Sequence, residues 1–197
     1  MNALLKLSGA IDRINEFVGK WVAWLILAAV VVSATNAVIR KAFNASSNAF
    51  LEIQWYFFAA VFLLCAGYTL LRNEHVKIDV FAHMLTKRKQ IWIDIIGLVF
   101  FLFPFVVAVV VLSWPLFLDA FETGEMSQNA GGLVRWPVYS LVPVGFTLLG
   151  LQGVSELIKR FAYLKGMIDD PTRKKVQKTA EQELAEAILA RAQGEAK

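Results

Sequence analysis

The chain has 197 residues, of which 57% are hydrophobic and 18% charged, with a formal net charge of +4 and a mean hydropathy of +0.55. That is greasier and less charged than a soluble domain, so an ordinary water-soluble enzyme fold is excluded, and the length leaves room for about four membrane spans with no second folded domain. The excess of bases does not indicate nucleic acid, because the bases cluster beside hydrophobic ends, where membrane orientation and lipid headgroups call for them.

Residues 3–20 place Leu4, Leu7, Ile11, Ile14 and Val18 at alternating spacings of three and four, with Lys6, Ser8, Asp12, Arg13, Asn15 and Glu16 between them. This predicts an amphipathic helix over residues 1–20, too charged to span and suited to the bilayer surface or a partner groove. Asp12 and Glu16 precede the first apolar run and no early cleavage site follows, so a removable leader is not expected.

The membrane domain is expected over residues 21–158, with spans near 21–39, 52–71, 91–118 and 136–158. In the first, Ala29, Ser33 and Ala37 recur every fourth residue and form a ridge that lets another helix approach closely. The stretch from Leu51 to Phe81 reads as the organiser, nineteen uncharged residues between Glu52 and Arg72, with the other spans arranged around it. Pro104 inside the third span should kink it, whereas Pro137 sits in the first turn of the fourth, where its missing N–H costs nothing. All six tryptophans (Trp21, Trp24, Trp55, Trp92, Trp114 and Trp136) fall near span ends, as an interfacial aromatic belt requires. The lone Cys65 lies mid-span and has no internal disulfide partner.

Lys and Arg distribute unevenly: seventeen of twenty fall in the N-tail, the second loop and the C-tail. The positive-inside rule then puts both chain ends in the cytoplasm, which an even number of spans also requires. Residues 159–197 read as a charged cytoplasmic tail with an Ala/Glu-rich helix from Thr179 to Gln193. The whole predicts an all-α membrane protein.

Two constellations invite chemistry. His75-Val76-Lys77-Ile78-Asp79 would supply a base or relay, but it reads better as an interfacial segment, and no acids stand at metal-ligand spacing around it. Glu52, Asp94 and Glu156 lie at span mouths. There they read as structural or docking pairs, Glu52 with Arg40, Lys41 or Arg135, Asp94 with the bases Lys87 to Lys89, and Glu156 with Lys159 and Arg160. No acid or base lies mid-span, and no paired Gly-interrupted half-helices of the transporter type occur. The residues therefore favour one part of a larger assembly. They leave open a self-sufficient homo-oligomeric channel lined by Asn36, Glu52 or His75, and a membrane enzyme using His75 and Asp79.

Three strings carry a resemblance: Glu52-Ile53-Gln54-Trp55, Ala66-Gly67-Tyr68-Thr69, and Arg72-Asn73-Glu74-His75-Val76-Lys77-Ile78-Asp79-Val80. With four spans in a chain of this size, the pattern resembles the small membrane (Q-type) subunit of tripartite ATP-independent periplasmic (TRAP) transporters over roughly residues 10–165. The resemblance implies a bacterial inner-membrane location and a non-catalytic scaffold beside a large membrane subunit. That large subunit carries an organic acid and sodium, and a periplasmic protein captures the acid. By the same resemblance Glu52, Trp55, Arg72, His75 and Asp79 hold shape and subunit contact, substrate and sodium sit on the large partner, and this chain needs no cofactor. Asp119, Glu122 and Glu125, in or beside the acidic third loop, are expected to face the capture protein.

Overall fold

The computed structural model describes residues 2–44, 47–73 and 85–171. Among these, four helical stretches are each long and apolar enough to cross a membrane: α1 (Asn2–Phe43), α2 (Asn48–Leu71), α3 (Lys87–Thr123) and α4 (Trp136–Leu164). His75, Asp79 and the Thr179–Gln193 helix lie outside the described residues.

α1 and α2 form an antiparallel hairpin, and α4 runs back against both while also packing on α3. α4 therefore occupies the centre, not the Leu51–Phe81 stretch. The reason lies in residues that admit close neighbours on several sides. At Gly145 an added Cβ would come within 2.6 Å of the Leu63 carbonyl on α2, and at Gly67 within 3.1 Å of the Leu148 carbonyl on α4. The backbones of α2 and α4 meet at contact distance in both places, a close approach that small residues permit between membrane helices.

The amphipathic segment and the first span are one helix of 42 residues, about 63 Å at ~1.5 Å per residue. No break separates them because only Gly19 and Lys20 stand at the expected junction, and one glycine costs roughly 1 kcal/mol, too little to end a helix packed along its length. The inward side of this segment is polar. Ser8 and Asn15 are buried with Ile11, whereas Leu4, Leu7, Ile14 and Phe17 are exposed.

α3 contains an irregularity just before Pro104, in the form of an extra residue in one turn. Leu98–Leu102 form a π-helical turn in which the Phe103 N–H donates to the Leu98 carbonyl, and regular α-helix resumes at Phe103. Widening the turn ahead of a proline relieves its ring of the preceding carbonyls. All six tryptophan side chains point away from the bundle interior, the side on which a membrane belt must lie.

Candidate functional site

The bundle carries two polar constructions at opposite ends. The first is a seam between helices at the end where α1 begins and α4 finishes. On α1, Ser8, Asp12 and Asn15 follow at intervals of four and three, and on α4, Gln152, Ser155, Glu156, Lys159 and Arg160 fall on one side of the helix. Antiparallel packing brings the two stripes face to face.

Lys159 Nζ lies 2.7 Å from Asp12 Oδ2 and 2.8 Å from Glu156 Oε1. Ser155 donates to Asp12 at 2.6 Å, and Gln152 Nε2 donates to the same carboxylate at 2.9 Å. Asn15 donates to Gln152 Oε1 at 3.0 Å, and the hydroxyls of Ser8 and Ser155 meet at 2.7 Å. Arg160 pairs with Glu156 one turn before it and, through Nη2, with Asp94 of α3 at 3.1 Å. Glu156 and Arg160 are each 2% exposed. Asn15 Oδ1 accepts no hydrogen bond and faces Gly67, whose missing side chain makes room for it.

The seam is charged although no acid or base lies mid-span, because its charges come from the N-terminal segment and from span mouths. Asp94 does not pair with the bases Lys87 to Lys89, because its partner is Arg160. Lys87 lies two helical turns away, about 10 Å along the axis, and binds Asp170 at 3.2 Å instead. The pairing of Glu156 with Lys159 and Arg160 is as expected. Asp12, Asn15, Gln152 and Ser155 were not foreseen as a unit. Their signal was two polar stripes of matching helical period, one on each side of a long apolar stretch. Beside the seam, Arg72 stacks on Tyr68 with 5.1 Å to the ring centroid and reaches Glu16 at 3.5 Å. Both ties are within this chain.

The second construction is a clasp at the opposite end. Gly124, at φ +64°, ends α3 in the left-handed region, and residues 125–135 fold into a small hairpin-like loop with Met126 bridged to Val134. Glu52, in the second turn of α2, holds this loop. Its Oε1 accepts from Ser127 and from Asn129 Nδ2 (2.8 Å), and its Oε2 accepts the Leu133 backbone N–H at 2.7 Å. Asn48 adds a bond to the Ala130 carbonyl (2.9 Å) and Tyr56 one to Val134 (2.8 Å). Arg135, expected as a partner of Glu52, is bound to Glu125 at 3.3 Å and to the Tyr139 hydroxyl at 3.2 Å. Arg40 and Lys41 remain exposed. Three neutral donors serve where a cation was expected.

The remaining candidates do not converge on either construction. Trp55 is 74% exposed, and of the small-residue ridge Ala29 is half-buried while Ser33 and Ala37 are exposed, so the ridge does not serve packing within this chain. Asp119 and Glu122 are exposed near the end of α3, and Glu125 is half-buried against Arg135.

No curated protein matches the chain. The family model of the DctQ component of tripartite ATP-independent periplasmic transporters matches residues 29–162, which takes in about the last third of α1, all of α2, α3 and the clasp loop, and nearly all of α4. The chain thus belongs to that family, as a small multi-pass membrane component of a three-part transporter, which also has a large membrane subunit and a periplasmic binding protein, rather than of an enzyme family.

Proposed function

We propose that this chain braces the transporter: it packs beside the large membrane subunit, widens and anchors its stationary part, and handles neither cargo nor coupling ion. The large partner moves an organic acid together with sodium, after a periplasmic protein has captured the acid. One observation supports this reading above the others. The carboxylates and cations of the seam are engaged with one another in the clefts between helices, while the outward surface of α1 is uncharged and largely apolar from Trp21 to Val38. A carrier needs polar groups that face a wet passage and can exchange partners with a solute. Mutually bound groups in a closed seam suit a rigid support. The exposed Ser33 and Ala37, with Ala29 beside them, offer a smooth strip against which a partner helix can lie, and Trp55 offers an aromatic anchor. The exposed Asp119 and Glu122, with Glu125 close by, are the acids available to the capture protein. In this arrangement the chain sits in the bacterial inner membrane with both ends cytoplasmic, in keeping with the count of bases by segment.

Reconstitution tests it. Proteoliposomes receive this chain alone, the large subunit alone, or both, with the capture protein, a sodium gradient and a panel of labelled small carboxylates. Uptake is expected only when both membrane subunits are present. Ser33→Leu with Ala37→Leu should weaken co-purification of the large subunit without altering the helical content of this chain. Uptake or current from this polypeptide by itself would overturn the reading and favour the homo-oligomeric channel.

A further inference from the structure

The first 11 residues of α3, Lys87–Gly97, are held differently from the rest of that helix. From Phe103 onward α3 packs closely along α4, whereas the backbone of this foot stands off from α4 and from α2. On the α2 side it faces an open groove, lined by Ile93 and Gly97 of the foot and by Leu70 and Asn73 at the end of α2. The foot joins the packed length through the π-helical turn Leu98–Leu102, and such turns are places where helices bend.

Two ionic ties hold the foot. Near the π turn, Asp94 meets Arg160 at 3.1 Å. At the tip, about 10 Å further along the axis, Lys87 meets Asp170 at 3.2 Å. The second tie depends on how α4 ends. Gly166 lies in the left-handed region at φ +71°. Its N–H donates to the Tyr163 carbonyl at 2.8 Å, and the Met167 N–H donates to the Ala162 carbonyl at 3.0 Å. This pair of bonds satisfies the last turn of α4 and turns the chain aside. Residues 167–171 then reach both neighbouring helices. Asp170 meets the tip of the foot, and the Pro171 carbonyl accepts from Asn73 Nδ2 at 3.4 Å, at the end of α2. Asn73 is itself at φ +54°, a conformation that asparagine tolerates better than most side chains.

From this arrangement we infer that residues 165–171 are a latch on the tip of a foot that pivots at Leu98–Leu102. Ile91 and Ile95, which lie between the tip and the turn, are buried, so the fastened position is the resting one. The unequal burial of the ties decides which opens first. The Arg160 side chain is 3% exposed, whereas that of Lys87 is 56% exposed. An exposed pair stabilises little and a buried one resists separation, so the tip releases while Asp94 stays pinned. The chain continues directly from Pro171, so a pull on its C-terminal residues reaches the latch before it reaches the seam.

The test uses the full chain co-expressed with a cysteine-free large subunit and placed in lipid nanodiscs. Cys65→Ala removes the native thiol, and spin labels are attached through Lys6→Cys and Arg88→Cys, at exposed positions on α1 and on the foot. Double electron–electron resonance should give one narrow distance distribution for this parent. Asp170→Lys sets two cations against each other at the tip and should raise the share of a second, displaced population roughly fivefold. Asn73→Gly keeps the backbone turn, removes the amide and should raise that share by a smaller factor. Exchanging the charges, Lys87→Asp with Asp170→Lys, should bring the narrow distribution back. A control pair, Lys6→Cys with Phe161→Cys on the exposed side of α4, should keep its distance throughout. An unchanged distribution in Asp170→Lys would show that the foot is fixed without the latch and would overturn the inference. Equal broadening in the control pair would also overturn it, since the whole bundle would then have loosened.

Discussion

The seam and the clasp both centre on carboxylates, and they solve the same problem differently. In the seam, Asp94 and Glu156 meet Arg160, and Asp12 and Glu156 meet Lys159, in a cleft between helices that buries Glu156 and Arg160 fully and the other three in part. In the clasp, Glu52 takes a hydroxyl, an amide and a backbone N–H, at a rim open to solvent. The difference follows from what else is present to stabilise the charge. A desolvated carboxylate needs a cation with good geometry and further hydrogen bonds. At a wet rim water does much of that work, so neutral donors suffice, and the charge gives direction to a loop. Burial thus decides whether an acid holds helices together or shapes a connector.

The comparison breaks most easily at Arg160. Arg160→Met leaves Glu156 and Asp94 without their shared cation, and the expected loss is about 3–5 kcal/mol, seen as a lowered melting transition in detergent or as failure to accumulate. Adding Asp94→Asn should restore part of it, because that side chain then no longer carries a charge for Arg160 to meet, while Glu156 keeps its pair with Lys159. A parent-like melt in the single variant would mean that the seam is not the stronger construction. Gly67→Ala comes next. The new methyl runs into the Asn15 carboxamide and the Leu148 carbonyl, and overpacking of this kind costs about 1–3 kcal/mol. Combined with Asn15→Ala the two losses should be clearly less than additive, and strict additivity would show that the clash is elsewhere. Glu52→Ala should have the smallest effect on melting. Its signature is local: amide exchange at Leu133 should quicken by roughly tenfold or more while α2 and α4 stay protected. If the whole bundle loosened together, the clasp would belong to the core after all.

Much of the fold is legible in the sequence, and the failures share a cause. Uncharged runs of bilayer length and tryptophans at their ends announce four spans, since a membrane constrains length and flank chemistry directly. What faces inward is harder to read. Periodicity marks Leu4, Leu7 and Ile14 as one face and Ser8, Asp12 and Asn15 as another, but in a membrane the apolar face is as apt to look outward. Recognising the polar face as the buried one requires seeing that α4 carries a matching stripe about 140 residues later. Asp94 illustrates the same difficulty, because the nearest bases in sequence are not the nearest in space. Glu52 is harder still, since its main-chain partner is a backbone N–H, which any residue but proline provides and no side chain advertises.

The widened turn before Pro104 has a wider consequence. Inward-facing residues of α3 run Ile91 and Ile95 before it, Leu98 at its start, and Val106 and Ala120 after it, and the eight residues from Leu98 to Val106 complete two turns where an ordinary α-helix would need about seven. The surplus residue works as a vernier between two lengths of helix, each keyed separately to α4. Deleting one residue from Leu98–Leu102 would let the wide turn close to ordinary α-helix, in which the remaining seven residues still complete about two turns. Both lengths would then keep their faces toward α4, with Asp94 near Arg160 and Ala120 inward. Single-residue gaps in this pentapeptide should therefore be better tolerated than single-residue gaps elsewhere in α3, each of which would swing one length by about 100° relative to the other.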